Sequence, residues 1–336
     1  MTKTLRSRYP GLRPFDEGEE NHFFGRDEEI EAVCRMLDLE ELVILHGPSG
    51  MGKSSMINAG ILPALSNVRR WDVPYHIITI RLTNYDPEFA KSRMQEYKPG
   101  DDDGIEIVQD PVDRFVQACL GNKHGWSDDF IPLPKESFWL TTKQMLIDHE
   151  ISPLRVVFVF DQFEELFTYP EGRVEEFARQ LQELYHEVMP ESVRRGLERK
   201  DLLEAEMEAA PVYSEKEERL MESIEERLDM KILISMRSDK LHFLERLKPY
   251  IPEMMLNSFE LRSFSPDQAR RAIVEPAQLE GNQYISPKFD IDDDVLDDIV
   301  VFLEDKLSHR IDPAQLQIIC QHLEQKMINK HMKNRA

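Results

Sequence analysis

LVILHGPSGMGKSSMINAGIL, residues 42–62, decides how the rest of the chain is read. Leu42 to Leu45 form an apolar run of strand length, Gly47 to Gly52 a glycine-punctuated loop, and the residues from Lys53 onward a helical run. Gly47-Pro48-Ser49-Gly50-Met51-Gly52-Lys53-Ser54 fits the spacing G-x-x-x-x-G-K-[ST]. Glycines belong there because they let the backbone wrap with its N–H groups pointing into one anion-sized nest. The helix behind the loop adds its positive end, Lys53 has the reach for β- and γ-phosphates, and the Ser54 hydroxyl is placed to ligate Mg2+. A chance glycine turn would need neither the strand before it nor the helix after it. The stretch therefore predicts a phosphate-binding loop between a buried strand and a helix.

Composition bounds the rest. The 336 residues suffice for one large or two ordinary domains, and 41 % hydrophobic residues with 9 % aromatics give enough apolar material for a core. A formal net charge of −22 argues against a general binder of phosphate backbones, so no direct nucleic-acid binding is expected. Cys34, Cys119 and Cys320 stand far apart, in neither metal-ligand nor CxxC spacing, and read as reduced, small apolar core residues. The N-terminal MTKTLRSRYPGLRPF has basic residues without an apolar stretch behind them, and no apolar run approaches the roughly 18–20 residues of a membrane span. A cytoplasmic protein away from membranes is the expectation.

Upstream of the loop, Tyr9 to Phe15 is punctuated by Pro and Gly, and Phe23-Phe24-Gly25-Arg26 closes it before Asp27-Glu28-Glu29 opens a helix. Phe15, Phe23 and Phe24 are placed either to flank a base or to plug the core, and the pattern does not choose between these. Downstream, Tyr75 to Leu82 alternates like a strand. Between 83 and 150 the sequence holds Asp101-Asp102-Asp103-Gly104, read as a solvated loop rather than a metal site, and helical segments at Val112 to Leu120 and Phe138 to Ile147. Leu154 to Phe160 is almost wholly apolar and ends in Asp161, which implies a strand buried on both faces, as in the parallel sheet of an α/β fold.

Asp161 would then stand at the carboxyl edge of the sheet, placed to hold Mg2+ directly or through water, with Glu164 or Glu165 placed to orient and deprotonate the attacking water. Residues 172–229 read as two long exposed helices joined near Ala209-Ala210-Pro211. Lys231 to Met236 is a further strand closing on Arg237, which reads either as a γ-phosphate sensor or as an ordinary strand-end salt bridge. Phe259 to Phe264 is the expected fifth strand. Ser265-Pro266-Asp267-Gln268 has a hydroxyl N-cap, a proline at the first helical position and Gln three residues after the cap. Helical runs at Gln268 to Ile273, Asp294 to Lys306 and Pro313 to Met327 complete a small helical domain, the natural lid.

Taken together, YPGLRPF, FFGR, HGPSGMGKSS, NAGILP, VVFVFDQFEELF, SMRSDK, AIVEPA and IDPAQLQIICQHL resemble the novel STAND group of signal-transduction ATPases, P-loop NTPases of the AAA-like, NACHT-related branch, over roughly residues 8–327. The resemblance implies a parallel five-stranded α/β core flanked by helices and followed by a helical lid. Its expected layout is an adenine-side loop at 1–25, a core at 26–264 with helical insertions near 83–150 and 172–229, and a lid at 265–336. It implies ATP and ADP as ligands with Mg2+. Lys53 and Ser54 would be the Walker A lysine and metal ligand, Asp161 the Walker B acid, and Arg237 the sensor arginine. Glu164 falls where the NACHT pattern has its catalytic acid, with Glu165 beside it, while Gln162 stands where many relatives carry a second acid, so hydrolysis is expected to be slow or to rest wholly on Glu164 and Glu165. Phe24, Gly25 and Arg26 look like the adenine-pocket segment, Gly47 to Ser55 the phosphate loop, and Pro313 the adenine-touching proline of the lid, with Ile311 at the motif's glycine position.

The resemblance further implies a switch: an ADP-bound closed form, and an ATP-bound form that homo-oligomerises and activates an effector, often in bacterial defence or signalling. Such proteins carry an effector on one side and a repeat sensor on the other, so the chain is expected either to be an excised domain or to work with a separately encoded effector. Two other readings stay open from the sequence. One is an AAA+ remodeller, for which Arg69-Arg70-Trp71 is the candidate arginine finger; the other is a nucleotide-binding scaffold without turnover.

Overall fold

The computed structural model describes residues 5–66, 75–86, 110–120, 137–148, 155–206, 215–224 and 226–333. Its centre is a five-stranded parallel sheet: β1 Leu42–Gly47, β2 His76–Arg81, β3 Arg155–Asp161, β4 Asp229–Arg237 and β5 Ser258–Glu260, in the order β2-β3-β4-β1-β5. The burial follows the sequence pattern. Val156 to Phe160 of β3 and Ile232 to Ile234 of β4 have no solvent exposure, as strands covered on both faces require, whereas β2 at the sheet's edge alternates.

The fifth strand is shorter than its apolar run. Its last ladder bond is Leu261 N–H to the His46 carbonyl of β1 at 2.7 Å, and beyond it the chain is recruited elsewhere, Phe264 exchanging two 2.9 Å backbone hydrogen bonds with Ile311. Residues 172–229 also depart from expectation, since they hold three described helices, Glu171–Tyr185, Glu191–Glu206 and Glu215–Ser223, in place of two. The break after Tyr185 is local chemistry. Glu187 takes a left-handed φ of 52°, with Glu187 N–H on Leu184 O and Val188 N–H on Glu183 O, the hydrogen bonds that close a helix end. The first of these helices is not wholly exposed either, because Val174, Phe177, Leu181 and Leu184 are buried along one stripe. Arg69-Arg70-Trp71, Asp101 to Gly104 and Ala209 to Pro211 lie outside the described residues.

Two compact units divide the chain: one takes the described residues of 1–74, 237–239 and 258–336, the other those of 75–236 and 240–257. In the second unit, rings hold β3 to its helices. Phe115 of helix Pro111–Leu120 stacks on Phe138 at 3.9 Å, and Phe160, Phe163 and Phe177 meet edge to face at 5.7–6.1 Å, geometries that suit the ring quadrupole.

In the first unit, the helix after the phosphate loop runs through Lys53–Met56, a wider π turn at Ile57–Ile61, and Leu62–Leu65. Gly60 lies where a Cβ would come within 2.5 Å of Ile30 Cδ1, so the glycine admits the helix Asp27–Leu39. The helices Pro266–Gln278, Asp293–Leu303 and Pro313–Lys333 share a core of Ile273, Leu296, Val300, Ile311, Leu316 and Cys320. Tyr9 joins that core from the N-terminal segment, its hydroxyl donating to the Ile273 carbonyl. All three cysteines are buried and none is in a disulfide, and among the described residues no helix is long and apolar enough to cross a membrane.

Candidate nucleotide site

β1 delivers the phosphate loop, and the loop's conformation depends on its glycines. Gly50 and Gly52 take φ of 83° and 84°, where a side-chain-bearing residue is strained. Gly47 is needed for space instead, since a Cβ there would come within 2.7 Å of the Leu261 carbonyl. Pro48, Ser49 and Gly50 form an exposed tip, while Met51 is buried as the anchor and Ser54 and Ser55 are half-buried at the helix start. Lys53 Nζ donates to the Gly47 and Pro48 carbonyls at 2.9 and 3.0 Å, folded over the loop that it would serve. The Ser55 hydroxyl accepts from the Phe15 N–H at 3.2 Å, and Asn58 donates to the Phe15 carbonyl at 3.1 Å, which pins the upstream loop to this helix. Phe15 is buried against Phe23, ring centroids 5.1 Å apart, and so plugs the core, with Phe24 half-buried beside it.

Arg26 is the junction between loop and lid. Its guanidinium is buried, donating to Glu29 at 2.9 Å and to the Met51 carbonyl at 3.3 Å, and it lies 4.1 Å from the Phe264 ring centroid. Burial lowers its pKa and Glu29 opposes that, the balance expected of a desolvated cation with one paired carboxylate. Glu29 also accepts from Gln268 at 2.7 Å, and Gln268 belongs to the capping box with Ser265 that the sequence predicts. Gly25, at φ 85°, passes so close to this turn that a Cβ would stand 2.6 Å from the Gln268 carbonyl. Pro313 is buried at the first position of its helix, with Asp312 accepting from the Ala314 and Gln315 N–H groups at 2.8 and 3.0 Å. Ile311 suits its place because it is a fully buried partner of Phe264. The helix start reaches the loop, as a Cβ on Gly50 would lie 3.9 Å from Ala314 Cβ.

The acidic candidates sit in the second unit. Asp161, buried, is the last residue of β3, in register with Arg81, and its carbonyl accepts from Leu82 N–H at 3.1 Å. Gln162 then takes a left-handed φ of 57° and turns the chain into the 3-10 segment Phe163–Thr168. A 3-10 turn eclipses residues three apart, so the buried Phe163 and Leu166 share one face, leaving Glu164 and Glu165 half-buried off it. Gln162 is itself engaged, accepting from Arg81 Nε at 3.0 Å. Arg237, last in β4, forms a forked pair with Asp239 at 2.9 and 3.0 Å.

The sequence pattern of novel STAND NTPase 1 matches residues 9–300. The chain belongs to that family. Among curated proteins none matches the sequence. Solved structures similar to this STAND NTPase include a Walker-type ATPase of Pyrococcus abyssi, at 14 % identity and TM-score 0.46, over 96 % of this chain and 73 % of that one. Two from Aeropyrum pernix also match: the ORC1 protein in complex with DNA, at 13 % identity and TM-score 0.46 over 97 % and 66 % of the two chains, and the ORC2 protein in ADPNP and ADP complexes, at 11 % and 0.41 over 93 % and 72 %.

Two arrangements in the STAND NTPase escape sequence reasoning. One is His46, the residue before Gly47, whose Nδ1 lies 2.9 Å from the Ser238 hydroxyl; its only signal is a polar residue ending an apolar strand. The other ties residues 7–9 to the lid. Arg8 is buried and donates to Ser286 Oγ at 2.9 Å and to the Pro276 and Leu279 carbonyls at 2.8 Å, while buried Glu324 accepts from Arg8 N–H, Ser7 Oγ and Ser286 Oγ. A sequence separation of 316 residues hides that pairing from any local pattern.

Proposed function

We propose that this STAND NTPase is an ATP-operated switch with slow turnover, whose ATP-bound form homo-oligomerises and activates an attached or separately encoded effector in bacterial defence or signalling. The observation that carries the reading is Arg26, bonded to the Met51 carbonyl of the phosphate loop and stacked on Phe264 where the lid begins. A loop reshaped by a bound nucleotide would be felt at that guanidinium. In this reading the loop N–H groups and Lys53 bind the phosphates, Phe24, Gly25, Arg26 and Pro313 border the base, and Arg237 leaves Asp239 for the γ-phosphate. Glu164, assisted by Glu165, orients the water and takes its proton. The Ser54 hydroxyl and Asp161 carboxylate are oxygen donors, the set that Mg2+ favours, and would hold it. When bound, the ion neutralises charge on the transferred phosphoryl group.

A switch needs ATP to favour one form strongly. Reversing a hundredfold bias toward the closed form to a hundredfold bias away from it requires about 5.5 kcal/mol of differential affinity. The experiment is nucleotide content of the purified chain together with mass photometry, with and without ATP and Mg2+. Co-purified ADP on a monomer that assembles with ATP, and fails to assemble as Lys53→Ala, is the expected result. A nucleotide-free chain whose assembly ignores ATP overturns the reading. Fast, substrate-stimulated turnover would instead identify a remodeller.

A further inference from the structure

His46 takes no part in the phosphate loop, yet the chain places it between the two cations that the proposed reaction uses. It ends the apolar part of β1, in register with Glu260 of β5, and its own carbonyl accepts from Leu261 N–H, so its backbone is fixed on that side. Its ring reaches the other way, Nδ1 standing 2.9 Å from the hydroxyl of Ser238. Ser238 directly follows Arg237 and separates it from Asp239, its ion-pair partner. One residue along from His46 is Gly47, whose carbonyl holds Lys53 Nζ at 2.9 Å. The ring is half-buried, and burial lowers its pKa; Glu260, itself paired with Arg262 at 2.7 Å, raises it, and the Lys53 charge lowers it. A neutral imidazole with one nitrogen on a hydroxyl is the form these surroundings favour.

We propose that His46 is a positioning residue for NTP hydrolysis: by its hydrogen bond to Ser238 it anchors the Arg237–Asp239 turn to the strand that carries the phosphate loop, and so sets where the Arg237 guanidinium can go. This rests on the reading of Arg237 as the γ-phosphate sensor. A short, stiff path runs from Lys53 through Gly47 and His46 to Ser238 and Arg237, and without it the turn would keep its ion pair but lose its register against the loop. Neither His46 nor Ser238 need touch nucleotide for this.

The test is a double-mutant cycle on the full chain, with His46→Leu, Ser238→Ala, the pair together, and His46→Asn, which retains a polar nitrogen near Nδ1. Single-turnover ATP hydrolysis and ADP affinity are measured on each variant, with thermal melting to confirm folding. Each of the first two variants should slow hydrolysis about tenfold, the equivalent of one hydrogen bond or ~1.4 kcal/mol, and leave ADP affinity within about twofold. The pair should be no slower than either single variant, and His46→Asn should recover most of the rate. Additive losses, a loss of ADP affinity matching the loss of rate, or a His46→Leu rate equal to wild type overturns the proposal. Arg237→Ala is run alongside. If it is slow while His46→Leu is not, the positioning role alone falls; if it hydrolyses at the wild-type rate, the sensor reading falls.

Discussion

Replacing Glu324 by alanine should release the lid without touching the phosphate loop. Glu324 is 2 % exposed and accepts from three donors: Arg8 N–H at 3.0 Å, Ser286 Oγ at 2.7 Å, and Ser7 Oγ. Its charge is also the anion nearest in function to the buried Arg8 cation, since Arg8 Nε reaches Ser286 Oγ at 2.9 Å and Ser286 passes the bond on to Glu324. Alanine leaves the Arg8 N–H and the Ser286 hydroxyl without that acceptor and Arg8 without a compensating charge, while Ser7 Oγ keeps the Tyr9 carbonyl at 2.7 Å. Each orphaned buried donor costs about 1–3 kcal/mol, and breaking a buried charged network about 3–5 kcal/mol in all, so water entering the space sets the low end near ~3 kcal/mol. The assay is native-state hydrogen exchange of the helix Pro313–Lys333, which reports opening of this region apart from global unfolding. At ~1.4 kcal/mol per decade, exchange should speed about 10²–10³-fold in Glu324→Ala and much less in Glu324→Gln, which keeps an acceptor. Exchange within threefold of wild type in Glu324→Ala would refute the reasoning, because the network would then contribute nothing beyond what water replaces.

Arg26→Met keeps the buried stem but removes the bonds to Glu29 and Met51, so nucleotide affinity should fall about 10- to 100-fold by titration calorimetry, for a loss of ~1.4–3 kcal/mol. Phe163→Ala empties a fully buried ring site against Phe160 and Phe177 and should destabilise the chain by about 3–5 kcal/mol in urea unfolding of the second unit's signal. Gly52→Ala, with open space around the new Cβ but a φ of 84°, should cost about 1–2 kcal/mol through backbone strain and weaken nucleotide binding while the fold stands, as circular dichroism would register. Lys143 is buried with Nζ on the Ser223, Ile224 and Glu226 carbonyls, and burial lowers its pKa to about 8. The unfolded chain therefore holds that proton to higher pH than the folded chain, and stability relative to Lys143→Met should rise as pH goes from about 8 toward 10, checked by melting temperature across that window.

Fold legibility tracked the range of the interaction. β1, β3 and β4 announce themselves because a strand covered on both faces must be apolar throughout, and the Ser265 capping box because its two hydrogen bonds are made within four residues. The overrun of β5 has the opposite cause. Phe264 is as apolar as a strand residue but its backbone is claimed by Ile311, and nothing near Phe264 in sequence carries that information. The extra helix break at Glu187 was hidden because a non-glycine residue took the left-handed conformation that usually marks a helix end with glycine or asparagine.

The site divides the same way. Gly50, Gly52, Lys53 and Ser54 are readable because phosphate binding by backbone imposes spacing on consecutive residues, and Asp161 because strand and acid are contiguous. Arg26 was legible as a position and not as a mechanism: a buried guanidinium must find a carboxylate and acceptors, and it finds Glu29 three residues on but Met51 and Phe264 far along the chain. That single demand has a consequence for how the unit works. The Met51 carbonyl cannot rotate out of its place without leaving Arg26 short of an acceptor, and Arg26 cannot follow it without leaving Phe264 and the Glu29 that also holds Gln268. A change in the loop must then either be refused or be passed to the first turn of the lid, and the Arg26→Met variant separates these, since it should uncouple lid exchange from nucleotide even at saturating ligand.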